Sequence, residues 1–285
     1  MKPSIAAIIP TYNEVELLSA CVDSLLAQDE PWLEIIVVNA GDPLPASVAV
    51  KVIEHRVPDN CFWTACISEG IVVAKGLGSE HLLFTNADTS FLPGSVSRLR
   101  EAIADKPMSI ACSPAYVQTE GKPITLLYSD QSDLGPLLYG KLVRRWEKPE
   151  EAPIEPYEID LTGGQGVLMP AVLFDSVKVD VENFPHYASD HDLWLQARKL
   201  GYRLLLVPQT GIVNRRDFNE SEGRKAGSLV RALWKRMTSE FAPESWTIMW
   251  RLRRKHQGPL SGFFTTVVSF FLRWTIGLPK IIRRS

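Results

Sequence analysis

Cysteine is scarce in this chain, and the four present, Cys21, Cys61, Cys66 and Cys112, form no Cys-x-x-Cys pair and no zinc-type spacing. That excludes a disulfide framework or a thiolate metal centre from the sequence reading and points to a reducing compartment. Charge is nearly balanced at a formal net of -2, so the total gives no argument for nucleic acid as a partner. No apolar run reaches the roughly 20 residues that a membrane-spanning helix needs. The first run, Ile5 to Ile9, stops at Pro10 and is too short for the apolar core of a signal peptide, so a cytoplasmic protein is expected. The turn that follows, Pro10 to Glu14, contains no glycine, which argues against a Gly-rich phosphate loop. Acidic residues are missing altogether after Glu244.

The composition that remains, 45% hydrophobic and 22% charged, is that of a globular α/β protein. Ile5 to Ile9 and Glu34 to Val38 read as strands buried on both faces, and Glu14 to Gln28 between them has helical apolar spacing at Val15, Leu18, Val22, Leu25 and Leu26, with Asn13 placed as N-cap. Strand, helix and strand in that order imply a right-handed parallel crossover. A helix over Cys66 to Ala74, stopped by Gly76 and Gly78, precedes a strand at Leu82 to Thr85, and Pro93-Gly94 opens another helix through Ala104. Ala115 to Glu158 lacks periodicity and is expected to be an irregular insertion. Glycines at 163, 164 and 166 enter a strand that runs to Met169; Asp190 to Gly201 reads as a helix and Tyr202 to Val207 as a strand.

Three strand ends carry polar groups: Thr11-Tyr12-Asn13-Glu14, Asn39 to Asp42, and Asn86-Ala87-Asp88. In a parallel sheet these ends share one edge, where open α/β sheets bind ligands. Asp88 alone would read as a turn cap before Pro93-Gly94; three converging rims favour a site, with Asp88 a hard oxygen ligand for a divalent cation beside nucleotide phosphates. Ser189-Asp190-His191-Asp192 suits a helix N-terminus, and the two acids, two residues apart, do not share a helical face, so they are expected to have different jobs. His186 and His191 lack the third ligand of a metal site and read as structural. Trp63 reads equally as a stacking platform or as core.

Taken in order, Pro10-Thr11-Tyr12-Asn13-Glu14, Asn39-Ala40-Gly41-Asp42, Asn86-Ala87-Asp88-Thr89 and Ser189-Asp190-His191-Asp192 resemble the motifs of family 2 glycosyltransferases. The resemblance spans roughly residues 3 to 216. Phe62-Trp63-Thr64-Ala65, Gly164 to Pro170 and Pro185-His186-Tyr187 are similar to motifs of a bacterial, rhamnosyltransferase-like subgroup. It implies a GT-A fold, α/β with a mostly parallel central sheet flanked by helices, over residues 1–220, and a C-terminal helical extension over 221–285. It also implies an inverting enzyme that moves a sugar from a UDP- or dTDP-sugar donor to a glycan or lipid-linked acceptor. Carried over by position, Pro10, Thr11, Tyr12, Glu14, Asn39, Gly41, Trp63, Asn86 and Ala87 would line the nucleotide site. Asp88 would hold Mg²⁺ or Mn²⁺, Asp190 would be the catalytic base, and Gly164, Gln165, Ser189, Asp192 and Trp194 would face the acceptor or the sugar. Asn39, Ala87, Ser189 and Asn214 stand where relatives often have an acid or a histidine, which implies weaker metal binding and raises the alternative of a nucleotide-sugar-binding scaffold. The missing glycine after the first strand sets aside a sugar-phosphate nucleotidylyltransferase.

The C-terminal segment carries Arg251, Arg253, Arg254, Lys255, Arg273, Lys280, Arg283 and Arg284 with no acid among them. Between these charges Phe263, Val267, Phe270, Trp274 and Leu278 recur at helical spacing. Such a segment is expected to lie on the inner face of the cell membrane rather than cross it; packing on the catalytic domain or on a second copy of the chain is the alternative.

Overall fold

The first apolar run forms strand β1, Ile5–Thr11, and its side chains alternate between two cores. Ala6 and Ile8 join one buried cluster and Ile5, Ala7 and Ile9 the other, so burial on both faces is a direct consequence of the two-residue strand period. Each such Ile, Leu or Val fully removed from water contributes about 1.5–3 kcal/mol. The structure, a computed structural model, describes residues 5–118, 123–133, 139–215 and 245–282.

Helix α1, Val15–Leu26, lays Leu18, Cys21, Val22 and Leu25 on one face of the sheet. Strand β2, Leu33–Asn39, pairs in parallel with β1, and the short α2, Ala46–Ala49, leads to the edge strand β3, Ile53–Arg56. Helix α3, Trp63–Gly76, covers the opposite face with Cys66, Ile67, Ile71 and Ala74. Strand β4, His81–Phe84, returns beside β1 in parallel. After β5, Thr89–Phe91, helix α4, Ser95–Ile103, packs Val96 and Leu99 beneath the sheet on the side of α1.

The remaining strands are β6 (Ser109–Cys112), β7 (Ala115–Val117), β8 (Thr125–Tyr128), β9 (Asp130–Asp133), β10 (Tyr139–Val143), β11 (Tyr157–Ile159), β12 (Val167–Pro170), β13 (Arg203–Leu206) and β14 (Ile212–Asn214). The main sheet has the order β11-β13-β6-β12-β4-β1-β2-β3, and a second sheet has the order β5-β14-β7-β8. β12 runs antiparallel between β4 and β6. Its N-terminal end therefore meets the C-terminal ends of β1, β2 and β4, and this reversal brings the glycine-rich entry at 163–166 to the binding edge. Helix α5, Ser189–Lys199, begins at the same edge.

Two expectations are corrected here. The segment 115–158 is not irregular: it contributes strands to the main sheet, the second sheet and a hairpin of β9 and β10, each too short for a two-residue period to stand out. Asn13 is not the cap of α1. Glu14 holds that position without a side-chain cap bond, while Asn13 adopts φ 52 and its side chain serves another loop.

At the C-terminus α6, Trp246–Gln257, and α7, Pro259–Ile282, form a helix pair. The close crossing needs Gly262, where a Cβ would lie 2.8 Å from the backbone of Arg253 and Arg254. Among the described residues no helix is long and apolar enough to cross a membrane. The domain boundary expected at 220 lies outside the described residues, as do the side chains of Trp274 and Leu278.

Candidate active site

The loops after β1 and β2 are tied to each other before they can serve any ligand. Asn13 Oδ1 accepts from the Asp42 amide at 2.7 Å, and the Ala40 amide donates to the Thr11 carbonyl at 3.1 Å. Asn39 is buried and ties the loop to itself and to β3: Nδ2 donates to Asp42 O and to Glu54 Oε1, each at 2.7 Å, and Oδ1 accepts from the Gly41 amide at 2.9 Å. Asn39 and Gly41 therefore shape this rim. Thr11 is nearly buried and Glu14 half-buried, whereas Tyr12 is 58% exposed beside them, a free aromatic face at the rim.

Asp88 follows β4 on the third rim. Burial pushes its carboxyl up from the ordinary carboxylate range, partly offset by hydrogen bonds from the backbone and from Thr89. Around it runs a net of neutral polar groups. Trp63 Nε1 donates to Asn86 Oδ1 at 2.8 Å; Thr89 Oγ1 lies 2.9 Å from Gln165 Oε1; Asn86 and Tyr128 stand 3.4 and 3.5 Å from the Gln165 amide. Asn214 Oδ1 reaches Thr89 Oγ1 at 3.5 Å, and the Arg215 amide donates to the Asp88 carbonyl at 2.9 Å. Among the described residues no three His, Cys, Asp or Glu side chains gather as a metal cage. A desolvated single carboxylate fits a cation that draws its other ligands from a substrate diphosphate and water, which is how Mg²⁺ is commonly held.

Asp190 occupies the first turn of α5, and Asp190 Oδ1 accepts from the His191 amide at 2.8 Å. The preceding residue but one, Ala188, has φ 64, a left-handed conformation that costs an alanine about 1–3 kcal/mol and persists only where the surroundings over-determine it. Gly164 lies between the two halves of the site: a Cβ there would sit 2.7 Å from the Trp63 ring and 3.2 Å from Asp190 Cβ. Contacts thus run from Asp190 through Gly164 and Trp63 to Asn86, two residues before Asp88. A second route is electrostatic. Tyr128, held up at about 12 chiefly by burial, also feels the charge of Asp190 and is bonded to Gln165. His186 is held below its ordinary value by burial, against the opposing pull of Asp190.

The geometry revises several expected roles. Ala87 is 2% exposed and belongs to the core cluster with Phe91 and Val96, so an acid at this position would enter apolar packing rather than reach a ligand. Trp194 is fully buried and donates to the Thr162 carbonyl at 3.0 Å. Asp192, expected to face the acceptor or the sugar, is 1% exposed and accepts from Gln196, Lys255 and His256. Ser189 is buried at the helix start. His191 bonds Gln131 at 2.6 Å, consistent with a structural histidine. Thr89, Tyr128 and Arg215 carry no assigned role in the sequence reading. Thr89 was legible as the residue after Asp88; Tyr128 sits in the segment that lacked periodicity and left no signal.

A solved structure of GalNAc-T7 with UDP, GalNAc and Mn²⁺ superposes with a TM-score of 0.65 at 13% identity, covering 95% of this chain and 58% of that one. Staphylococcus aureus TarS does so with a TM-score of 0.55 at 12% identity, covering 88% of this chain and 39% of that one. These likenesses establish the fold, which is GT-A. An uncharacterized glycosyltransferase of Rickettsia typhi is 23% identical over 203 residues, 68% of this chain, and its counterpart in Rickettsia prowazekii matches to the same extent. The chain spans 58% of the length of these curated relatives. The family model described as glycosyl transferase family 2 matches residues 6–153, more than half of the chain. The chain belongs to glycosyl transferase family 2.

Proposed function

We propose that this enzyme transfers a sugar, with inversion, from a UDP- or dTDP-sugar to a hydroxyl of a lipid-linked or oligosaccharide acceptor in the assembly of a bacterial surface polysaccharide, as its rhamnosyltransferase-like motifs imply. The observation that carries the reading is the meeting of Asp190 and the Asp88 rim across Gly164 and Trp63. Asp190 takes the proton of the acceptor hydroxyl as that oxygen attacks the anomeric carbon, and the bond from that carbon to the diphosphate oxygen breaks. Mg²⁺ or Mn²⁺, when bound, supplies positive charge to the departing diphosphate, with Asp88 as its carboxylate ligand. Tyr12 and Trp63 offer aromatic surface to the donor's base and sugar.

The acceptor side of the proposal rests on the C-terminal pair. On α7 the outward residues are Leu260, Phe264, Val268 and Phe271, while Gly262, Thr266 and Ser269 face inward and Phe263 packs edge-on against Trp250 of α6 with ring centroids 5.8 Å apart. Phe270 turns toward Trp246 instead, with ring centroids 5.3 Å apart. An apolar outer face flanked by exposed Arg254 suits an anionic lipid surface. The test is nucleotide diphosphate release from a panel of UDP- and dTDP-sugars with Mn²⁺, assayed with and without extracted lipid-linked acceptors. Release that depends on one donor and rises with the acceptor is expected; no release from any of them would overturn the proposal.

A further inference from the structure

We propose that Lys255 and His256 on α6 are positioning residues for Asp190, acting through Asp192; the proposal rests on Asp190 being the base. Asp192 is almost completely removed from water, and a carboxylate so placed is held by its partners. Lys255 Nζ donates to it at 2.9 Å, Gln196 Nε2 at 2.8 Å, and His256 Nε2 stands 2.7 Å away. The same ammonium donates to Asp180 Oδ2 at 2.7 Å and lies 5.5 Å from the centre of the Phe184 ring. Asp180 in turn accepts from the Asn183 amide, and Arg251 donates to the Asn183 carbonyl at 3.3 Å.

One helix therefore grips the chain on both sides of the left-handed residue Ala188. The far side of this loop is pinned to α3, where Thr64 Oγ1 donates to the Phe184 carbonyl at 2.6 Å and the Thr64 amide to Pro185 O. Ala188, at φ 64, gives its carbonyl to the Asp192 amide at 2.9 Å, so the left-handed residue lies between the clamp on 180–184 and the one on Asp192. Asp190 sits inside that clamped span, with one carboxylate oxygen already committed to the His191 amide. The orientation of the first helical turn consequently sets where its other oxygen points.

The test uses the full chain carrying Lys255→Met with His256→Gln. Hydrogen exchange followed by mass spectrometry should show the peptide over 184–194 exchanging about tenfold faster, with peptides from β1, β2 and β4 unchanged. Turnover of a UDP- or dTDP-sugar should fall about tenfold in kcat with KM for the donor within about twofold. Lys255→Arg, which keeps the charge, should restore most of both. Unchanged exchange at 184–194 would overturn the proposal, and so would faster exchange spread over the whole chain. Asp190→Asn keeps the two readings apart: full activity in that variant would remove the base while leaving the exchange result to speak for the clamp.

Discussion

On the central sheet, apolar side chains fill both faces of β1, β2 and β4, and polar ones collect at the strand ends around Asp88 and Asp190. In α7 the arrangement is turned inside out: Gly262, Thr266 and Ser269 are packed away while Phe264 and Phe271 remain 65% and 63% exposed. The two regions draw on the same residue types, so the difference lies in what each must meet. A rim of pre-bonded amides and hydroxyls around a desolvated carboxylate suits a small charged ligand. A helix that spends its small residues inward, to approach α6 closely, leaves its large ones for a surface. The Asp192 clamp ties α5, which begins at the sheet's binding edge, to α6, the helix on which α7 packs.

Breaking the rim should have the largest effect. Asp88→Asn is expected to lower turnover by about 10²- to 10³-fold and to remove the Mn²⁺-dependent part of the thermal stabilisation given by UDP, both measured on the purified protein. Gly164→Ala tests how closely the halves of the site abut: the new Cβ, 2.7 Å from the Trp63 ring, should cost about 1–3 kcal/mol in urea unfolding and depress activity by displacing Trp63. The outer face of α7 is tested by Phe264→Ser with Phe271→Ser, its two most exposed rings. Flotation with phosphatidylglycerol-containing vesicles should be lost, while stability moves by less than about 0.5 kcal/mol because both rings are exposed. Flotation equal to that of the parent would remove the lipid-facing role, and a concentration-dependent mass would assign the face to a second copy.

The smallest effect is a pH signature of the clamp. Burial raises the Asp180 carboxyl, but bonds from Lys255 and Asn183 outweigh it and hold the group below its ordinary 3.8. Its contribution to stability is therefore present above the unfolded value and lost as pH falls through the lowered one. Lys255 is held above its ordinary 10.5, burial notwithstanding, by Asp180 and Asp192, so its contribution is present below that value and lost as pH rises through the folded one. Asp180→Asn should lower the melting temperature at neutral pH and flatten its fall in acid; a parallel curve would show that the pair adds nothing.

Much of the catalytic frame was legible because its signals are local. Apolar runs with hard stops at Pro10, Asn39 and Thr85 gave β1, β2 and β4 to within two residues, and Gly201 marked the end of α5. The second sheet was not legible, since its three- and four-residue strands pair across long separations, as Ile212 with Phe91 and Ala115. At the site, position in a motif singled out Asp88 and Asp190 but showed neither their proximity nor which neighbours face them. Ala87 looked like a missing acid and is core; Asp192 looked like a second functional acid and is an anchor for α6. Those distinctions depend on side-chain direction and on a helix some sixty residues away in sequence, as the Asp192–His256 pair shows.

The central claim is that two acids on one rim divide the work, Asp88 for the diphosphate and Asp190 for the acceptor proton. Its most direct test is nucleotide diphosphate release by Asp190→Asn, alongside UDP-induced thermal stabilisation of the same variant with Mn²⁺. A loss of about 10²- to 10⁴-fold in turnover with the UDP stabilisation retained is the predicted result; turnover equal to that of the unmodified protein would contradict it.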